Sequence, residues 1–359
     1  MSEQTVGALK DILQKGIAQS IFSAAQLVVS DSNGICVDIA VGQTKSRLEK
    51  NGIYVPQTIT HESLFDIASL TKPLATAGLV MKAVEAGALS LDQKLVTLDC
   101  VKLPSWLLAS TIADLLSHRT PLQAWINFYD SMPSIEDHRG ARLCIERMIE
   151  ESSPRKDASA YCYSDLGYLL LGFILESLYG DSLEHLFTEM LAIPLGLQSQ
   201  MMYCPLHHVE QKRIVATCWR HGCTVQGHPD DANACALTHY AGHAGLFASA
   251  LAVDAYVRAI LNGSFPCDSK IVDAFLSYRH PETPYALGWD RPTSKDSLSA
   301  RNVGDPVLGH LGFTGCSVWF DTTSKRCVTL LTNRTHMNDD PKSINPLRRE
   351  VYSLAWNKG

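Results

Sequence analysis

The sequence predicts an α+β fold, in which one antiparallel sheet is built from N- and C-terminal segments, flanked by helices, with a mostly helical segment inserted. Three observations predict it. A tight hairpin lies near the N-terminus, two adjoining strands lie near the C-terminus, and residues from about 88 to 240 read as helices separated by turns. The 359 residues are 46% hydrophobic and 19% charged, enough to bury a large core. The implied division is a sheet domain of residues 1–87 plus 241–359 and a helical domain of residues 88–240, with the active site between them.

The chain opens on an amphipathic helix. Its first residues, Met1 to Gly16, lack the basic start, uninterrupted apolar run and small-residue cleavage site of a secretory signal. Next, Ala24–Ser30 and Ile35–Val41 read as strands around Asp31-Ser32-Asn33-Gly34, where Asn-Gly is expected to supply the positive backbone angles of a tight hairpin. A polar stretch, Ser46–Glu62, leads to Leu70, Leu74, Ala77, Val80 and Val84, apolar at helical spacing. Pro73 is tolerable only in the first turn of that helix, which places the helix start close to Ser69.

The middle segment contains helical patterns such as STIADLLSH and GYLLLGFILESLYG, punctuated by Pro, Gly and Ser/Asp turns. Late in the chain Tyr285–Trp289, Cys316–Phe320 and Arg326–Thr332 carry the β-branched and aromatic residues of strands. A helix over Ile344–Trp356 closes the chain.

A formal charge of -6 with no Lys/Arg run excludes a phosphate-tracking groove or an anionic membrane surface, so neither nucleic acid nor membrane is an expected partner. Eleven cysteines, an odd number without an export signal, read as reduced thiols. These features point to the cytoplasm; a chain whose signal had been removed would read the same way and sit in the periplasm.

The chemistry starts at Ser69-Leu70-Thr71-Lys72. A serine at a helix start with a lysine three residues on places hydroxyl and amine on one face, one turn apart. A serine hydroxyl is a poor nucleophile until a neighbouring base takes its proton, and a buried lysine can have its pKa lowered enough to help. Alone the pattern is unspecific, since serine often caps helices and lysine is common on surfaces. Two further elements keep it company. Tyr163-Ser164-Asp165 is a turn entering an apolar helix, read either as a presented tyrosine oxygen or as a core tyrosine with an aspartate cap. His310-Leu311-Gly312 lies just before a strand pair, read either as part of a site or as a glycine-rich strand entry with a hydrogen-bonded histidine.

In this order the chain resembles the serine beta-lactamase and penicillin-binding-protein family, of the class C beta-lactamase and family VIII esterase type. There S-x-x-K, then Y-x-N or Y-x-S, then K-T-G or H-x-G occur in sequence. The segments LFDIASLTKPLAT, ADLLSHRTPL, YCYSDLGYLLLG, GHAGLFASALAV, GHLGFTGCSVWFD and LLTNRTH look like family segments and span nearly the whole chain. The resemblance implies a beta-lactamase/transpeptidase-like fold with Ser69 as nucleophile and Lys72 and Tyr163 sharing the roles of base and proton shuttle. An oxyanion would sit between the N–H groups of Ser69 and Phe313, and neither metal nor cofactor is needed.

Departures bear on the substrate. His310-Leu311-Gly312 stands where many penicillin-recognising members have Lys-Thr-Gly, removing a fixed positive charge and a hydroxyl that would hold a substrate carboxylate. Asp165 replaces the usual asparagine or serine; facing Lys72 it would favour the ammonium and leave more of the base role to Tyr163, whereas pointing to solvent it would leave Lys72 unaffected. The expected substrate is therefore a small ester or amide, with a beta-lactam or short D-alanyl peptide as the alternative. A non-catalytic acyl-binding or sensing protein is the reading from another class.

Cys204, His207, His208, Cys218, His221, Cys223, His228 and Cys235 crowd one segment but lack standard zinc spacing, and read as buried thiols and surface histidines. His243 is expected in a tight turn lining the site and His118 at a helix end behind it. Loops Gln123–Glu136 and Pro281–Asp305 are expected to set specificity.

Overall fold

Five strands form the central antiparallel sheet of the computed structural model, in the order Gly34–Gly42, Ala24–Asp31, Cys327–Thr332, Ser317–Asp321, Val307–Leu311. The structure describes residues 1–45, 56–132, 137–157, 161–220, 222–294 and 297–357. The two ends of the chain meet at the sheet centre, where Leu27 faces Leu330 and Val29 faces Val328. Alternation does the rest. Leu27, Val29, Val328 and Leu330 turn to one face, under the helices Glu3–Ala18 and Asn345–Ala355, while Ala24, Val28, Cys327 and Leu331 turn to the other, into the large core shared with the remaining helices.

Asn333, at the end of the central strand, fixes this junction. Its Oδ1 accepts from the N–H groups of Ser23 and Ala24, both at 3.0 Å, and its Nδ2 donates to Ser23 Oγ at 2.9 Å and Ala216 O at 3.0 Å. The side chain is buried, so each of these bonds would otherwise be an unsatisfied polar group.

Two expectations need correcting, the turn of the hairpin and the strand at Tyr285–Trp289. In the hairpin the positive φ falls on Gly34 and not on Asn33. Asp31 and Gly34 close the strands, and Asp31 Oδ1 accepts the Asn33 N–H at 2.8 Å, so the turn is held by a side chain. The middle segment carries helices, as expected, and some β structure as well: Ala216–Arg220 and Cys223–Gln226 form a hairpin, and Met201–Met202 pairs with Phe247–Ala248, which in turn pairs with Phe65–Asp66. Tyr285–Trp289 is not a strand: Gly288 has φ +95° with a Cβ position only 2.7 Å from Ala77 Cβ, and the Ala286 N–H closes on Trp289 O at 2.8 Å. Its aromatic content serves burial of Trp289. His310-Leu311 does lie just before the strand pair, and it ends a further strand, Val307–Leu311, that pairs with Ser317–Asp321. The polar stretch from Ser46 lies largely outside the described residues.

Replacing Asn333 with alanine leaves several buried groups unpaired and is expected to lower stability by about 2–4 kcal/mol, read as a reduced urea midpoint at unchanged slope.

Candidate active site

Strand Phe65–Asp66 runs into a single 3₁₀ turn, Ala68–Leu70, then a π-helical stretch, Lys72–Ala77, and only then the α-helix Gly78–Glu85. The helix therefore starts where Pro73 requires, though through an irregular entry. Ala68 has φ +47°, a left-handed conformation unfavourable for a residue with a Cβ. Asp66 holds it there, accepting the Ala68 N–H at 2.9 Å and the Asp230 N–H at 2.7 Å, while the Thr71 hydroxyl donates to Ala68 O at 2.6 Å. Ser69 is thereby presented beside the edge strand Val307–Leu311. Gly312 makes that approach possible, since a Cβ there would lie 2.6 Å from Ile67 O.

The fully buried Lys72 sits at the centre. Its Nζ donates to Ser69 Oγ at 3.0 Å and to His243 O at 3.1 Å, and pairs with Asp165 Oδ1 at 2.7 Å. It also lies over the Tyr163 ring, 4.9 Å from the centroid. Of the two readings of Asp165, the one facing the lysine holds. His243 takes part through its backbone: Gly242, whose Cβ would fall 2.0 Å from Tyr168 O, lets the loop pack onto the helices, and the Thr76 hydroxyl anchors Gly242 O at 2.6 Å. The His243 ring turns away to Asp231, with Nε2 2.9 Å from Oδ1. Burial opposes a charged Asp231, but the His243 contact outweighs it and holds the carboxyl down to about 2.

Tyr163 hydrogen-bonds Ser69, and burial followed by the charge of Asp165 pushes its phenol well above the usual range. The same carboxylate that favours the ammonium also favours the protonated phenol. His118 follows the helix Ile112–Leu116 and packs its ring 4.6 Å from that of Tyr163. Its Nδ1 accepts the Ser164 N–H at 3.1 Å, and burial, then the Lys72 charge, hold it well below the usual range, so it is a neutral prop. Tyr285, edge-on to His118 at 4.6 Å, completes the aromatic wall. Tyr285 lies within the loop Pro281–Asp305 expected to set specificity, although the sequence does not single it out and its segment reads as a strand.

On the facing side, His310 Nδ1 lies 2.9 Å from Leu311 O, and burial, then Lys72, push the imidazole down to about 3. It is a neutral group, not a substitute for lysine. The N–H groups of Ser69 and Phe313 donate to no acceptor among the described residues. Two arginines brace the strand end: Arg334 bonds Phe313 O and lies 4.8 Å from the Phe313 ring, and the buried Arg348 donates to Gly312 O at 3.3 Å and Cys316 O at 2.8 Å. A cavity of about 340 Å³ opens here, lined by Ser69, Tyr163, Tyr285, Asp290, His310 and Arg348. Asp290 lies in the loop Pro281–Asp305 expected to set specificity, though no motif singles it out, and Arg348 carries no signal.

In the cysteine- and histidine-rich segment, burial pushes Cys204 and Cys235 up to about 12. Cys204 and His207 do converge with Glu184, their ligand atoms lying within 4.8 Å of one another. Cys218 is buried and Cys223 exposed, and His221 lies outside the described residues.

With this geometry the chain was compared with known proteins, and the family model named Beta-lactamase matches residues 9–353. The chain belongs to the Beta-lactamase family. It is 26% identical over 367 residues to the N-acetylmuramyl-L-alanine amidase of Bacillus subtilis (strain 168), covering 93% of this chain and 82% of that one. It is 25% identical over 372 residues to a putative D-alanyl-D-alanine carboxypeptidase of Escherichia coli (strain K12), covering 93% and 84%. Among solved structures, EstCE1, a hydrolase with promiscuous acyltransferase activity, superposes with a TM-score of 0.73 at 17% identity, covering 99% of each chain, a likeness of fold. The protein is thus a serine hydrolase of the beta-lactamase family.

A Gly312→Ala replacement would drive a methyl against Ile67 O and part the strand end from the Ser69 turn. The expected loss in kcat is about 10²-fold or more with a smaller change in KM, the signature of a misplaced oxyanion donor in steady-state kinetics.

Proposed function

We propose that this protein hydrolyses esters or amides through an acyl-enzyme on Ser69. The single observation that carries the reading is Lys72, whose Nζ lies 3.0 Å from the serine oxygen and 2.7 Å from a carboxylate. As an ammonium it cannot accept a proton. Asp165 supplies the way out: the resting pair is ammonium and carboxylate, and as bound substrate excludes water from it one proton passes from Nζ to Asp165, 2.7 Å away. Nζ then takes the Ser69 proton as Oγ bonds to the acyl carbonyl carbon. The oxyanion is received by the N–H groups of Ser69 and Phe313. Tyr163, protonated at rest, gives its proton to the leaving oxygen or nitrogen as that bond breaks, and regains one from Lys72. The serine proton ends, in sum, on the leaving group, and water releases the acid by the reverse route.

In this reading the sheet domain of residues 1–87 plus 241–359 brings Ser69, Lys72 and His310, and the helical domain of residues 88–240 brings Tyr163 and Asp165. The names of the relatives support amide substrates, and His310, neutral where a lysine would be charged, supports substrates without an obligatory carboxylate. A second reading, beta-lactamase or D-alanyl peptidase, is favoured by Arg348, a cation on the cavity wall that could face a substrate carboxylate.

Steady-state turnover of short p-nitrophenyl esters, anilides and nitrocefin by the native protein and Ser69→Ala, with intact-protein mass spectrometry, tests the proposal. Ester or anilide turnover lost in the variant, with an acyl adduct on native protein, is expected. Nitrocefin turnover exceeding both would favour the second reading, an adduct that never turns over would indicate a sensor, and neither turnover nor adduct would contradict the proposal.

A further inference from the structure

Asp290 is the one carboxylate among the six residues named above as lining the cavity. Its backbone is fixed by two hydrogen bonds to Gly309, at 2.8 and 3.0 Å, which set it beside His310. One oxygen accepts the Arg291 N–H at 2.7 Å. The Arg291 guanidinium itself turns away, to the carbonyls of Pro284, Leu276 and Tyr278. No cationic side chain among the described residues pairs with Asp290. Burial alone pushes its carboxyl up to about 7. Its neighbours across the cavity sense the charge: burial first and then Asp290 push the Tyr285 phenol well above the usual range. The other polar groups of the site have partners: Lys72 pairs with Asp165, Asp231 lies against the His243 ring, and Arg348 rests on carbonyls. Asp290 therefore stands as a half-buried acid on the wall of the cavity that also holds the nucleophile, and a partly desolvated anion without a counter-charge is unfavourable until one arrives.

We propose that Asp290 is a specificity residue that receives a substrate ammonium, so that the preferred acyl donors are amino-acid amides or esters, or short peptides, with a free amino group. This rests on the acyl-enzyme reading for its turnover test but not for its binding test. A free ammonium beside the scissile carbonyl would replace the missing counter-charge and donate to the Asp290 oxygen not engaged by Arg291, whereas an acetylated amine offers one neutral N–H and a bulkier group.

The test compares kcat/KM for the D- and L-alanine p-nitroanilides with that for their N-acetyl forms. At least a tenfold preference for a free-amine substrate is expected in the native protein, collapsing to within about threefold in Asp290→Asn, which keeps an acceptor for the Arg291 N–H. Asp290→Ser serves as the second replacement should the asparagine chain not fold. Equal or better turnover of the N-acetyl forms, or a preference that survives both replacements, overturns the inference. If no anilide is turned over, calorimetry with Ser69→Ala decides. Tighter binding of alaninamide than of N-acetylalaninamide, lost in Ser69→Ala/Asp290→Asn, upholds Asp290 while counting against the hydrolytic reading alone. Equal binding, or binding of neither, overturns it.

Discussion

The buried ammonium of Lys72 is the constraint on which the site depends. A cation taken wholly out of water must be compensated, and here Ser69 Oγ, His243 O and Asp165 compensate it, from three distant parts of the chain. Each partner has its own support. Asp66 holds the strained turn before Ser69, the Gly242 contact lowers the His243 carbonyl onto Nζ, and the helix entry at Ser164 carries Asp165. Removing any support exposes the charge to an incomplete shell, so folding and catalysis share the same contacts.

The opposite side of the cleft is built by backbone instead of charge. His310 is neutral and Gly312 has no side chain, and what they provide is closeness: the strand end can reach the Ser69 turn, leaving two N–H groups without acceptors among the described residues. Arg334 and Arg348 stabilise that strand end by bonding its carbonyls. The result is a site able to stabilise developing negative charge while demanding little of the substrate elsewhere, apart from the acidic wall at Asp290.

Much of this was legible in the sequence. The end-to-end sheet followed from the hairpin around Asn33-Gly34 and from the β-branched and aromatic runs near the C-terminus, and Ser69, Lys72, Tyr163, Asp165 and the His310–Phe313 strand end do converge in space. What could not be read has physical causes. Tyr285 was hidden because aromatic and aliphatic residues suit a buried turn as well as a strand, and only Gly288 hinted at the difference. His243 acts through a carbonyl, for which side-chain chemistry gives no signal. Arg348 and Asp290 matter through position alone, the first on a C-terminal helix and the second after a turn, neither within a motif. The direction of Asp165 was left open by the sequence, since a first-turn aspartate can equally face solvent; the buried lysine decides it.

The most direct test of Lys72 as the base is the rate at which a fluorophosphonate probe labels Ser69 in the native protein and in Lys72→Arg. Arginine keeps the positive charge and can still pair with Asp165, yet it cannot be deprotonated in a protein. With Lys72 as the base, labelling falls by about 10²-fold or more while the variant stays folded. Labelling within a few-fold of native in a folded Lys72→Arg protein would show that the cation only steadies the site, and that the serine proton leaves by another path.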